Sequence, residues 1–266
     1  MNEPNESKLP PLTIVAVLDR EHLAEFQLVW PTWKLHHPQL VFGSRLLVMC
    51  DCDEHDLFWW DTELYWLYDE HEQVTLASAD DILPRPFFHA THRERMLACF
   101  VYAPQHIATP YFLKLDTDTV AFPHAGQTAE PWWFEHSPVF VAPRWGFTKP
   151  ADAIQRLDDW GDTLEALQGS SRLDIRPRSP REASVRHPRA ISYVYYGRTD
   201  WHQWLVDLCG DRLPVPSHDT LTSYVAERTK AFWRPVNMAE RGWRHISPRN
   251  LRLAAQQSLA QRETVG

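Results

Sequence analysis

"YFLKLDTDTVAF", residues 111–122, is the stretch on which the reading of this chain turns. A mostly apolar run, Tyr111 to Leu115, ends in Asp116-Thr117-Asp118, and the chain is apolar again from Val120. Such a run reads as a buried strand, and two carboxylates one residue apart at its end need a reason. Successive strand side chains point to opposite faces, so Asp116 and Asp118 project together if the extended geometry persists through Thr117. Side by side they repel, and desolvation adds to the cost; a divalent cation relieves both. Hard oxygen ligands suit Mg2+ or Mn2+, which complete their shells with phosphate oxygens and water. The pattern points to a metal–diphosphate site. The plainer alternative is a strand-to-turn junction whose aspartates accept backbone N–H groups.

Upstream, strands and helices alternate. "LTIVAVLD" (12–19) is a continuous apolar, β-branched run, as expected of a strand covered on both faces. Leu23, Phe26, Trp30 and Trp33 then mark one helical face, with a kink expected at Pro31. "RLLVMCD" (45–51) and "EQVTLAS" (72–78) read as further strands. Helical spacing recurs at Leu57, Trp60, Leu64 and Leu67, and again in "THRERMLACFVYAPQHI" (91–107). Strands separated by helices pair in parallel through right-handed crossovers, and ligands bind beyond their carboxyl ends. Three of these strands end in an aspartate, Asp19, Asp51 and Asp116, which parallel pairing delivers to one edge. The second half is less regular. Strands are expected in 137–147 and 190–197, and a helix on Trp201, Trp204, Leu205 and Leu208. Between them, residues 168–190 carry six arginines and three prolines and read as a long mobile loop that could close over an anionic ligand.

Composition narrows the classes. The 266 residues are 44% hydrophobic, enough for a sizeable core, and the net charge of −8 argues against a nucleic-acid-binding protein. No stretch approaches the roughly 18 apolar residues of a membrane span, and "MNEPNESKLPPL" lacks the pattern of a secretory signal. The four cysteines are too few and scattered for a disulfide framework, which fits a cytoplasmic protein. "CDCDEHD" (50–56) holds Cys-x-Cys without a second pair, so strand-end thiols are the better reading than zinc.

With these features together, the segment resembles the D-x-D motif of GT-A glycosyltransferases, which use a sugar nucleotide and a divalent metal. The likeness covers the alternating first half, the strand into "LDTDTV" and the irregular second half. It implies one α/β domain: a flexible N-terminus (1–11), a Rossmann-like, mostly parallel nucleotide-binding half (12–122), an acceptor-side half (123–250) and a C-terminal tail (251–266). It implies Mn2+ or Mg2+ on a donor diphosphate, with Asp118 as direct ligand and Asp116 sharing metal and ribose. Family members often add a histidine ligand near the C-terminus, and "RGWRHISPRN" (241–250) supplies His245 among Arg241, Arg244 and Arg249. Arg93 or Arg95 would reach the diphosphate, and Asp19, with Asp51 behind it, the base or ribose. By family frequency the donor is uridine-based; the acceptor would be a glycan, a lipid-linked molecule or a small molecule. An inverting member also needs a carboxylate base. "VPSHDTLTSYVAE" (215–227) offers Asp219, in the first turn of a helix capped by Ser217. There the helix dipole keeps a carboxylate ionised and also makes it a weaker base. Trp132, Trp133 and Trp145 are aromatic faces on which an acceptor sugar could stack.

Three other classes compete. "LDTDT" also fits the first motif of haloacid-dehalogenase phosphatases, with Asp116 as nucleophile. That motif usually opens its domain, whereas here it ends the fourth strand. A nucleotidyltransferase would carry a glycine-rich loop after the first strand, and "VLDREHLAEF" has no glycine. The remaining alternative is an inactive module that only binds a sugar nucleotide.

Overall fold

The computed structural model describes residues 9–52, 56–169, 175–179, 182–190, 193–215 and 218–261. Strand β1 (Leu12–Leu18) is buried at every position, and helix α1 (Arg20–His36) follows it directly. Next come α2 (Pro38–Gly43), β2 (Arg45–Cys50), α3 (Leu57–Glu63), α4 (Tyr65–Glu70), β3 (Val74–Ser78), α5 (Ala79–Ile82), α6 (His92–Tyr102) and β4 (Tyr111–Leu115). The second half holds β5 (Thr119–Ala121), β6 (Phe140–Ala142), β7 (Arg144–Pro150), α7 (Ala151–Thr163), β8 (Ile175–Ser179), β9 (Glu182–Ala190) and β10 (Val194–Arg198). It closes with α8 (Thr199–Cys209), α9 (His218–Arg228), β11 (Arg234–Pro235), β12 (Trp243–His245) and α10 (Pro248–Ala260).

The central sheet has the order β11-β6-β10-β4-β1-β2-β3. Strands β3, β2, β1 and β4 are mutually parallel, as the alternating pattern requires, and β10 runs antiparallel to both β4 and β6. Because a strand alternates its faces, β1 feeds two cores. Val15 and Val17 pack with Phe100 of α6, Trp201 and Leu205 of α8 and Leu221 and Tyr224 of α9. Ile14, Ala16 and Leu18 pack with Phe26, Trp30 and Trp33 of α1 and Leu251 of α10. Chain order reverses between β1 and β4, which makes their carboxyl ends the switch point where open α/β sheets bind ligands.

Helix α1 runs through Pro31, with Trp30 and Trp33 buried on either side. Three expectations change. The segment on Leu57, Trp60, Leu64 and Leu67 is two short helices divided at buried Leu64. The described part of the Arg-rich stretch is not a loop: β9 pairs antiparallel with both β7 and β8, making a separate three-stranded sheet. Its prolines hid the pairing, and Pro177 sits at an irregularity in the β8–β9 register. The expected tail instead forms α10, whose Leu251, Ala254, Ala255 and Ser258 are buried. The expected Ser217 cap lies outside the described residues.

Candidate functional site

The Asp116-Thr117-Asp118 turn leaves β4 and is pinned from several sides. The Thr119 amide donates to the Asp116 carbonyl at 3.0 Å and the Asp116 amide to the Tyr193 carbonyl at 3.2 Å. The Trp33 indole N–H donates to the Thr119 carbonyl at 2.6 Å, so a core tryptophan of α1 also fixes β5. Strand β12 pairs antiparallel with β5, His245 opposite Thr119, and the Ile246 amide donates to the Asp118 carbonyl at 3.0 Å. This small ribbon carries the D-x-D turn and His245 side by side although more than 120 residues separate them in sequence.

His245 Nε2 lies 2.8 Å from Asp118 Oδ2, and this bond raises the imidazole pKa despite partial burial. The other oxygen, Asp118 Oδ1, is buried and has no hydrogen-bond partner. A buried carboxylate oxygen without a partner is costly, and a cation beside it would remove that cost. Asp116 is engaged differently. Its Oδ1 is bonded by Lys114 Nζ, and burial raises the carboxyl pKa more than the Lys114 charge lowers it. Asp118 and His245 therefore stand together, with Asp116 turned to Lys114. Among the described residues no group of three or more His, Cys, Asp and Glu side chains is gathered closely enough to hold a metal. The donor set is nonetheless of the right kind for Mn2+ or Mg2+: two carboxylates and an imidazole, with one carboxylate oxygen uncompensated.

A second cluster lies beyond β1 and β2. Asp19 caps α1, accepting the His22 amide at 2.7 Å. Burial would raise its pKa, but bonds from His22 and His92 outweigh it and hold the carboxyl below its ordinary value. His92 bridges Asp19 and Asp51 through its two ring nitrogens. Carboxylates only accept, so a ring bonded to two of them is the doubly protonated imidazolium. Burial opposes that charge, yet the bonds to Asp19 and Asp51 raise the His92 pKa. Arg95 completes the row, its Nε 2.7 Å from Asp51 and a terminal nitrogen 2.8 Å from Asp80. Glu25 joins the two clusters: Thr117 Oγ1 donates to it at 3.3 Å, and Asp118 and Asp19 both lie near enough to raise its pKa, after burial.

Of the two candidate phosphate-binding arginines, Arg95 turns into this cluster and is committed to Asp51 and Asp80, whereas Arg93 is exposed. Arg241 pairs with Glu130 at 3.0 Å, and Arg244 lies over the Phe122 ring. Asp219 is half-buried in the first turn of α9. His218 beside it is buried, packs against Tyr195 and Phe100, and leaves both ring nitrogens without partners. Burial, with the Lys114 charge nearby, keeps this ring neutral well below the ordinary histidine pKa. Trp133 is 1% exposed and stacks edge-on against Tyr196, so it belongs to the core. Trp132 is half exposed, and Trp145 lies on β7. Cys50 and Cys52 are both buried; His55 lies outside the described residues.

Lys114, His92, His22, Glu25 and His218 were not among the sequence candidates. Two left a signal: a lysine inside an otherwise apolar strand two residues before Asp116, and a histidine three residues before Arg95 on one helical face.

No sequence-family model matches the chain, and no curated protein matches it in sequence. Solved structures do. The mannosyltransferase Ktr4p from S. cerevisiae aligns over 100% of this chain and 84% of its own, with a TM-score of 0.58 at 8% identity. Its complex with GDP aligns over 92% of this chain and 73% of its own, with a TM-score of 0.57 at 10% identity. The mannosyltransferase PcManGT from Pyrobaculum calidifontis, in complex with GDP-Man and Mn2+, covers 99% of this chain and 67% of its own (TM-score 0.50, 11% identity). The chain has the GT-A fold of glycosyltransferases. Among the described residues no helix is long and apolar enough to cross a membrane.

Proposed function

We propose that this chain is a metal-dependent glycosyltransferase that moves a hexose from a nucleotide-sugar donor to an acceptor hydroxyl. One observation carries the reading: at the switch point of a GT-A sheet, Asp118 meets His245 from a distant strand and keeps one buried oxygen without a partner. Mn2+ or Mg2+ would be held by Asp118 and His245, joined by Asp116, and when bound supplies positive charge to the donor diphosphate as the leaving group departs. Ktr4p was solved with GDP and PcManGT with GDP-Man and Mn2+, which supports a nucleotide-sugar donor and a divalent metal.

The chain's own residues divide the remaining work. Lys114 holds the Asp116 charge in place against its desolvation. Asp219 takes the proton from the acceptor hydroxyl. The acceptor oxygen bonds to the anomeric carbon as the bond from that carbon to the β-phosphate oxygen breaks, releasing the nucleoside diphosphate with inversion. Neutral, buried His218 lies beside that step and adds no competing charge. Family frequency makes the donor uridine-based. The phosphatase reading is not favoured, because Asp116 is tied to Lys114 and the similar solved structures are glycosyltransferases. The test is kinetic. Asp219→Asn is expected to lower turnover about 100-fold or more with donor affinity unchanged. Near-normal turnover would remove Asp219 from the mechanism, and a product retaining the donor's anomeric configuration, read by NMR, would overturn inversion.

A further inference from the structure

Strand β5 pairs with another strand along one edge only. Val120 faces Arg244 of β12, and the amides of Phe122 and Ile246 close that ladder on the Gly242 and Asp118 carbonyls. Strand geometry turns the backbone groups of Thr119 and Ala121 to the opposite edge, where the two-stranded sheet ends. Both residues are 0% exposed, so bulk water does not reach those groups. The Thr119 amide turns back to the Asp116 carbonyl, and side chains serve the rest. Trp33 of α1 donates its indole N–H to the Thr119 carbonyl at 2.6 Å. Thr32 beside it accepts the Ala121 amide at 3.1 Å and gives its own hydroxyl hydrogen to the Val29 carbonyl. From α10, Ser258 donates to the Ala121 carbonyl. A serine hydroxyl has one hydrogen to give. With that hydrogen on Ala121, His36 Nε2, 3.0 Å from Ser258 Oγ, is the donor to it, which ties the end of α1 to α10.

Resting on the donor-site reading above, we propose that Thr32 and Ser258, with Trp33, are positioning residues of the metal centre, which makes α10 a working part of it. These side chains touch neither substrate nor cation. They hold β5 from its open edge as a third strand would. Strand β5 follows Asp118 directly and pairs with the strand that carries His245. A ribbon of two strands is marginal by itself. The 2.8 Å between His245 Nε2 and Asp118 Oδ2 is therefore only as constant as the register of β5 against β12. Supporting partners of this kind matter to a metal: losing one typically costs about 10- to 100-fold in affinity. Composition points the same way. The other buried residues of α1 and α10 are all apolar, among them Val29 and Trp30 of α1 and Leu251 and Ala255 of α10. Valine at 32 and alanine at 258 would serve packing alone, and the β5 edge accounts for the two hydroxyls.

The experiment titrates the full-length chain with UDP and with GDP, with and without Mn2+, beside urea unfolding of the same samples. Thr32→Val and Ser258→Ala are each expected to weaken the Mn2+-dependent binding of whichever nucleotide the wild type takes by about 10-fold. Thr32→Ser, which keeps the hydroxyl, is expected to bind as the wild type does. A purely structural role would lower the urea midpoints of Thr32→Val and Ser258→Ala and leave the affinity of the folded chain unchanged. That result overturns the proposal and leaves the donor site standing. No Mn2+-dependent binding of either nucleotide by the wild type overturns the donor site, and the proposal with it. Amide exchange in the wild type decides the matter should a variant fail to fold. The Ala121 and Ile246 amides are expected to exchange as slowly as those of β1. Much faster exchange would mean that the ribbon frays despite these side chains, and would overturn the clamp.

Discussion

Lys114 shows how one residue sets the character of the site. Its side chain is 5% exposed, its ammonium bonds Asp116, and it lies 4.3 Å from the centre of the Phe100 ring. An unpaired ammonium there would be costly, and so would an unpaired Asp116 carboxylate. Lys114→Met is expected to cost about 2 kcal/mol in urea unfolding and to weaken donor binding, because Asp116 then takes up a proton more readily. Unchanged stability and unchanged binding would show that the pair does neither job. His92 gives a pH signature. Facing it are Asp19, the N-cap of α1, and Asp51, just after β2; His22 sits on the far side of Asp19, and Arg95 and Asp80 lie behind Asp51. Its folded pKa is raised, so the stability it contributes is complete below the ordinary histidine value of about 6.5 and is lost as pH rises through the raised value. Urea midpoints measured from pH 6 upward are expected to fall across that window in the wild type, and His92→Ala to flatten the fall. A variant with the same slope would mean that the bridge contributes no net stability.

The ribbon of β5 and β12 turns scattered residues into a site, and its geometry depends on Gly242. This residue has φ +81°, and a Cβ there would meet the Phe122 carbonyl oxygen at 2.2 Å. Gly242→Ala is therefore expected to cost about 1–3 kcal/mol and to shift His245 away from Asp118, weakening metal-dependent nucleotide binding more than it lowers the melting temperature. Melting and binding unchanged together would refute the claim that this turn holds the ribbon in register. The same elements mark what sequence could and could not reveal. Strands β1, β2 and β4 were legible because a parallel strand covered on both faces is almost continuously apolar. Asp116 and Asp118 were legible because carboxylates contradict that pattern. The pairing of β5 with β12, the union of β7, β8 and β9, and the His92 bridge were not. Each joins short or polar segments through backbone bonds and ion pairs that leave no periodic trace.

The molecule as a whole is organised around one sheet whose two faces are both buried, and whose carboxyl edge gathers most of the charged groups singled out above. Because β1 contributes alternately to both cores, neither face can unfold while the other keeps its strand. A single cooperative transition is expected in calorimetry, and two separated transitions would contradict it. Across the carboxyl edge the charge changes character: carboxylates joined by an imidazolium and Arg95 beyond β1 and β2, then the Asp118–His245 pair and Lys114 at β4. That gradient suits a ligand whose diphosphate lies at the Asp118–His245 end. The central claim, that Asp118 anchors a cation for a nucleotide-sugar donor, is tested most directly by calorimetric titration of the wild type and Asp118→Asn with UDP- and GDP-sugars, with and without Mn2+. The account predicts wild-type binding that requires Mn2+ and is lost in Asp118→Asn. Wild-type binding of equal strength without metal, or full binding by the variant, would contradict it.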